Sequence, residues 1–186
     1  INRAIMNGET ETGVTTFKMQ QEIDTGNILL MEKMPIGLDE TAGELHDRMK
    51  ITGAQLLVRT IRGLADGSLK EMPQLLSPDE IIKTAPKIFP SDCEINWTDP
   101  IAKIYNQIRG LSPYPGAFTH FGNKTLKIFR ARQEAGSSRP PAGMHEIIEK
   151  SALRFAAADG FIYVEEMQLE GKRRMKVGDF LHGYRN

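Results

Sequence analysis

Five short β-rich runs follow one another between residues 117 and 168, each cut off from the next by a turn signal. That spacing limits this half of the chain to a small, mainly-β arrangement. The runs cover 117–121, 125–131, 144–149, 152–157 and 161–168, with Gly122-Asn123, a Gly/Ser/Pro loop at 135–143 and Asp159-Gly160 among the separators. Even spacing of this kind suits a small closed or partly open barrel, because closing a sheet hides its edges. A helix is expected ahead of the runs, opened by Asp99-Pro100, with Ile101, Ile104, Tyr105 and Ile108 on one face and Gly110 and Pro113 ending it. Trp97 and Tyr114 flank that helix and are expected to cap the barrel. A short helix is expected over 176–183.

The first third reads differently. Residues 1–6 suit a short helix, Asn7-Gly8 a turn, and 13–19 and 27–36 two strands separated by Asp24-Thr25-Gly26. Thr41-Ala42-Gly43-Glu44 is a capping-box sequence ahead of a helix whose apolar face is read as Leu45, Met49, Gly53, Leu57, Ile61 and Leu64, with Asp66-Gly67 as its stop. Residues 68–90 carry Pro73, Pro78 and Pro86 and no clear period; they read as a linker, with one short helix possible at Pro78-Asp79-Glu80. The expected division is therefore 1–70, a linker at 71–90, and 91–186.

Charge excludes little at the level of the whole chain, because 24 basic residues balance 24 acidic ones. Locally the balance breaks. Residues 100–133 hold Lys103, Arg109, Lys124, Lys127, Arg130 and Arg132 with no acidic residue, and Lys172-Arg173-Arg174-Met175-Lys176 is almost wholly basic. Lys127 alternates with Leu126 and Ile128 and so points to solvent, whereas Arg130 joins it on that face only if the strand bends. Such a stripe suits a phosphate backbone, and a solvated face explains it equally well. The longest apolar runs fall far short of a membrane span. Cys93 has no partner for a disulfide, and with His46, His120, His145 and His182 it makes no zinc-like pattern, so a reducing, cytoplasmic setting and no metal are expected. With no Met and no signal pattern at Ile1, a piece of a longer polypeptide is expected.

No phosphate loop, zinc-protease motif or nucleophile elbow is present, which leaves Asp24 as the candidate for chemistry. It lies in the polar turn Gln20-Gln21-Glu22-Ile23-Asp24-Thr25-Gly26 between two apolar strands, where the glycine lets another group approach closely. Turn chemistry alone gives it a blander role, since an Asp at such a place commonly bonds its own backbone.

The segment Asn7-Gly8-Glu9-Thr10-Glu11-Thr12-Gly13-Val14-Thr15, followed by Ile23-Asp24-Thr25-Gly26-Asn27-Ile28-Leu29, resembles the folate-dependent formyltransferase family. Ile95-Asn96-Trp97, Ile108-Arg109-Gly110 and Ser112-Pro113-Tyr114-Pro115-Gly116-Ala117 resemble the start of the C-terminal domain of its methionyl-tRNA-specific members. The resemblance implies α/β plus mainly-β architecture: the tail end of a Rossmann-like formyltransferase domain, then a small OB-like open barrel that helps to hold tRNA. It implies formyl transfer from 10-formyltetrahydrofolate to the amino group of initiator methionyl-tRNA. Asp24 takes the position of the family's catalytic Asp, and the catalytic Asn and His fall upstream of Ile1, so the 186-residue chain alone is expected to be inactive. Gln21, Glu22 and Ile23 would border the folate. Lys103, Arg109, Lys127, Arg130, Lys172, Arg173 and Arg174 are the expected tRNA contacts, and the intact protein is expected to be a monomer. Two other readings stay open: a formyltransferase acting on an amino-sugar nucleotide, and a non-catalytic tRNA-binding module with no site at Asp24.

Overall fold

The computed structural model describes residues 1–74, 83–136 and 140–183. In chain order its elements are α1 (Asn2–Met6), β1 (Glu11–Phe17), β2 (Ile28–Pro35), α2 (Ala42–Ala65), a 3-10 turn (Pro90–Asp92), α3 (Ile101–Leu111), β3 (Ala117–Phe121), β4 (Lys124–Ala135), β5 (His145–Ile148), β6 (Ala152–Ala156), β7 (Gly160–Leu169), β8 (Met175–Lys176) and α4 (Val177–Gly183). The short helix expected at Pro78-Asp79-Glu80 lies outside the described residues. The chain forms two compact units: residues 1–9, 39–43 and 86–186 make one, and residues 10–38 and 44–85 the other.

The larger unit is a six-stranded antiparallel sheet ordered β3-β4-β7-β6-β5, with β8 added beside β7. Of the closed and partly open barrels expected, the closed one is not made by backbone pairing among the described residues. β3 and β5 remain separate ends of the sheet, and side chains bridge them, the Phe121 ring lying 4.6 Å from the His145 ring. The far edge of β3 is covered instead by residues 93–95: Ile95 donates to the Phe118 carbonyl at 2.8 Å and Phe118 to the Cys93 carbonyl at 2.8 Å. An edge strand must be paired or hidden, and this segment does the pairing.

The core lies between the sheet and α3. Alternation places Leu126 and Ile128 of β4, Leu153 and Phe155 of β6, and Ile162, Val164 and Met167 of β7 inward, against Ile104, Ile108 and Leu111 of the helix. Trp97 stacks on Phe155 with centroids 4.6 Å apart, and its indole N–H donates to Thr119 Oγ1 at 2.9 Å. Tyr114, expected beside it, is exposed instead. The amide of Ile101, one of the orphan donors that open α3, donates to Asp159 Oδ1 at 2.7 Å, so a sheet turn supplies the helix cap. Gly160 follows because a Cβ there would stand 2.2 Å from the Glu134 carbonyl oxygen. Cys93 is buried, and desolvation raises its thiol above the ordinary value.

Residues 1–9 belong to this unit by packing. Ile5 is fully buried, Asn2 donates to the Gly110 carbonyl at 2.8 Å, and Arg3 pairs with Asp92 at 2.9 Å. Residues 39–43 do likewise: the Tyr105 hydroxyl donates to Asp39 Oδ1 at 2.6 Å and the Gly43 amide to the Ser112 carbonyl at 3.0 Å.

The smaller unit is the antiparallel pair β1 and β2, with Glu11 opposite Pro35 and Phe17 opposite Ile28, against α2. The helix buries Leu45, Leu56 and Thr60, and the Thr60 hydroxyl meets the Thr16 hydroxyl at 2.8 Å. This corrects the expected face beyond Gly53: Leu57, Ile61 and Leu64 are more than half exposed. Apolar residues occur all round this part of α2, so a 3.6-residue period fits two faces, and the threonine pair selects between them. Leu56→Ala is expected to cost about 2–5 kcal/mol, whereas Leu57→Ala in this chain stays within about 0.5 kcal/mol. Urea unfolding followed by circular dichroism checks both; the reverse ranking would place the buried face back on Leu57.

Candidate functional site

The turn joining β1 to β2 is held at a narrow neck. Lys18 N–H donates to the Asn27 carbonyl at 2.9 Å, and Gly26 passes so close to Lys18 that a Cβ would lie 1.6 Å from its carbonyl oxygen. No side chain larger than hydrogen fits there. Within the turn Asp24 is left-handed, at φ +59°, a conformation that Asp tolerates better than most residues. The local bonding expected of Asp24 is done by other groups. The Thr25 hydroxyl donates to the Glu22 carbonyl at 3.1 Å, and Gln74 Nε2 donates to the Asp24 and Gly26 carbonyls at 2.9 and 2.6 Å. The Asp24 carboxylate makes no hydrogen bond or ion pair among the described residues and is exposed. Gln21, Glu22 and Ile23 are exposed beside it, with Ile23 and Met19 presenting apolar side chains to solvent. A carboxylate on a pinned turn, next to apolar surface, can orient a polar reactant and exchange a proton with it.

The cationic residues divide. Arg109 is buried; its guanidinium donates to Asn106 Oδ1 at 2.8 Å and to the Glu40 carbonyl at 3.2 Å, and burial lowers its pKa from the ordinary value. It is part of the interior of its unit. Lys103 is on α3 and pairs with Asp99 at 2.9 Å, and Lys172 and Arg173 are exposed in the turn after β7. Arg130 and Arg174 both lie near Glu166, whereas Lys127 donates to the Pro115 carbonyl at 3.0 Å. The register of β4 against β7 shifts on either side of Arg130, so both Ile128 and Ala131 point inward and the bulge turns Arg130 outward with Lys127. Arg174 lies over the Phe129 ring, 4.3 Å from its centroid, and grips Glu166 with two bonds of 2.8 and 2.7 Å. That pairing holds the Glu166 carboxyl below the ordinary carboxylate range.

The sequence reading missed how this face continues. Arg132 lies over Tyr163 at 3.7 Å and Arg154 over Phe161 at 3.8 Å, so with Arg174 three guanidinium groups stack on aromatic rings across β4, β7 and β6. Their signal was the outward position of Arg154 between Leu153 and Phe155, legible only with the register known. Gln74 gave no signal at all, since it lies in a stretch without period.

A two-part α/β protein with a pinned carboxylate turn in its smaller unit is thus the class these features define. The description "Formyl transferase" matches residues 1–61, and "Formyl transferase, C-terminal domain" matches residues 87–185. The chain belongs to the formyl transferase family. Among curated relatives, methionyl-tRNA formyltransferase of Phocaeicola vulgatus is 40% identical over 192 residues, covering 100% of this chain and 59% of that protein. The methionyl-tRNA formyltransferase of Citrifermentans bemidjiense is 41% identical over 187 residues, covering 100% and 57%. The chain therefore spans under two thirds of the length of these relatives. Among solved structures, HypX from Aquifex aeolicus in complex with tetrahydrofolic acid has a similar fold, with TM-score 0.72 at 18% identity over 97% of this chain and 31% of that one. WlaRD, a sugar 3N-formyl transferase, gives TM-score 0.65 at 24% identity, covering 92% of this chain and 59% of that one. Among the described residues no helix is long and apolar enough to cross a membrane.

Proposed function

We propose that this chain is part of an enzyme that transfers a formyl group from 10-formyltetrahydrofolate to the amino group of initiator methionyl-tRNA. The observation that carries the reading is the Asp24 carboxylate, exposed and without a partner among the described residues, on a turn held by other groups. The relatives named methionyl-tRNA formyltransferase, near 40% identity across the whole chain, support the acceptor. In this mechanism the acceptor amine attacks the formyl carbon, forming the new N–C bond as the bond to folate N10 breaks. An Asn and a His outside these residues stabilise the oxyanion, and Asp24, with that His, takes the proton that the amine loses and passes it toward the departing nitrogen. Gln21, Glu22 and Ile23 border the folate, and the apolar surface of Ile23 suits a flat ring.

The division at 70 and 91, the Rossmann-like origin of the first part and the OB-like nature of the second belong to the same proposal, as do a cytoplasmic setting and a monomeric intact protein. The surface that meets tRNA is read as Lys127, Arg130 and Arg174 of the sheet, Lys172 and Arg173 in the turn after β7, and Lys103 on α3. Arg109, committed to interior bonds, supports that surface from within.

Acceptor choice tests the reading. The native polypeptide, given 10-formyltetrahydrofolate, is expected to formylate methionyl-tRNA and to leave a nucleotide-linked amino sugar unchanged. Its affinity for tRNA is expected to fall linearly with log salt concentration, with a shallower slope in Arg130→Ala. Formylation of the sugar in place of the tRNA would establish the amino-sugar reading. Salt-dependent tRNA binding without transfer to any acceptor would establish the binding module.

A further inference from the structure

The turn that carries Asp24 is strapped by a segment far away in sequence. Met72 pairs with Ile28 through two backbone bonds, Ile28 N–H to the Met72 carbonyl at 2.7 Å and Met72 N–H to the Ile28 carbonyl at 2.8 Å. One residue earlier, Glu71 accepts from Lys18 Nζ at 2.7 Å and from Asn27 Nδ2 at 3.0 Å, the two residues that form the neck of the turn. Two residues later, Gln74 uses its amide hydrogens on the carbonyls either side of Thr25. The strap thus grips the turn at its base through a charged group and near its tip through an amide.

The Asp24 carbonyl belongs to the Asp24–Thr25 peptide and the Gly26 carbonyl to the Gly26–Asn27 peptide, so tying both to one nitrogen fixes two rigid planes on either side of the Thr25–Gly26 pair. Asp24 stands at positive φ, which Asp tolerates better than most residues but which still costs energy that its surroundings offset. We propose that Gln74 is a positioning residue for Asp24, and that Glu71 holds the neck so that Gln74 can reach. The proposal rests on the reading of Asp24 as the proton-handling group and adds to it what keeps that group in place. The strap touches no reacting atom; it sets where the carboxylate stands. A displacement of about 1 Å at a reacting group lowers rate by about 10²-fold, so loss of the strap is expected to be large in kcat and small in KM.

A double-mutant cycle in the native polypeptide tests it, with kcat and KM for formyl transfer measured in Gln74→Ala, Gln74→Glu, Asp24→Asn and the pairs. Gln74→Glu keeps the size of the side chain and replaces its donors by acceptors facing two carbonyls. Both Gln74 variants are expected to lose about 10- to 100-fold in kcat with KM within about two-fold, and to lose nothing further when Asp24 is already Asn. The Asp24 Cα chemical shift, measured in folded protein, is expected to move toward that of an unconstrained turn in both. Equal losses from Gln74→Ala with and without the Asp24 carboxylate would overturn the strap, as would wild-type kcat in both Gln74 variants while Asp24→Asn is impaired. Wild-type activity in Asp24→Asn would overturn the reading of Asp24 itself. If Gln74→Ala fails to fold, Gln74→Glu and the gentler Glu71→Gln carry the same comparison.

Discussion

Asp24→Asn in the native polypeptide is expected to lower kcat for formyl transfer by about 10²–10⁴-fold, the range in which a positioned proton acceptor contributes. The substitution isolates the charge. Asn has nearly the same shape as Asp and is at least as comfortable at positive φ, so the turn at φ +59° is kept. No bond is broken either, because the carboxylate makes none among the described residues and the turn is held through Thr25, Gln74 and the Lys18–Asn27 neck. Thermal unfolding is expected to match that of the parent. Steady-state kinetics with 10-formyltetrahydrofolate and methionyl-tRNA would read the effect, and a kcat within two-fold of the parent would remove Asp24 from the mechanism.

The second large effect is on stability. Phe155→Ala removes a fully buried ring from the centre of the larger unit and is expected to destabilise it by about 3–5 kcal/mol. Two contributions combine there. The inward side of β6 loses its largest side chain, leaving a void between the sheet and α3, and Trp97 loses the ring it stacks on at 4.6 Å, a contact worth a further ~0.5–1.5 kcal/mol. Trp97 is the only tryptophan in the chain, so its fluorescence reports on this unit during urea unfolding. A fall in midpoint with little change in slope is expected. A variant as stable as the parent would mean that the surroundings collapse into the void, with Trp97 moving to fill it.

Local pattern carried much of this fold. β3, β6 and β7 start and end within a residue or so of the β-rich runs, since each strand alternates inward and outward residues and turn residues stand close to its ends. β4 runs on to Ala135, past its expected end, because β7 is long enough to pair with it down to Gly160. The choice between a closed and a partly open barrel was left undecided by local pattern. Whether two edges meet depends on sheet curvature and on what else covers them, and nothing local in 93–95 announces that it will lie along β3. The face of α2 failed for a related reason. Leu56 and Leu57 are adjacent and equally apolar, and the choice between them is made by Thr16 and Thr60, more than forty residues apart. Arg130 shows a condition being met. Its outward position required a bend in the strand, and the bulge supplies that bend.

The site was legible only as a single residue. Asp24 in its turn was visible, but turn chemistry predicted a side chain busy with its own backbone, and the structure gives that work to Thr25 and to a distant glutamine. Arg109 stood among exposed-looking cations in a stretch without acidic residues, yet α3 turns it inward, to the carbonyl of Glu40.

The assignment of residues 1–9 and 39–43 to the larger unit bears on how such a gene can be recombined. A single crossover anywhere in 62–86 would inherit the sheet, α3 and α4 but leave behind α1, whose Ile5 is fully buried, and the Asp39 and Glu40 groups that Tyr105 and Arg109 bond. A C-terminal half transplanted in this way would arrive with an empty apolar seat and two stranded polar side chains. The two halves are therefore expected to be inherited together, or exchanged only with partners whose first forty residues can refill those places.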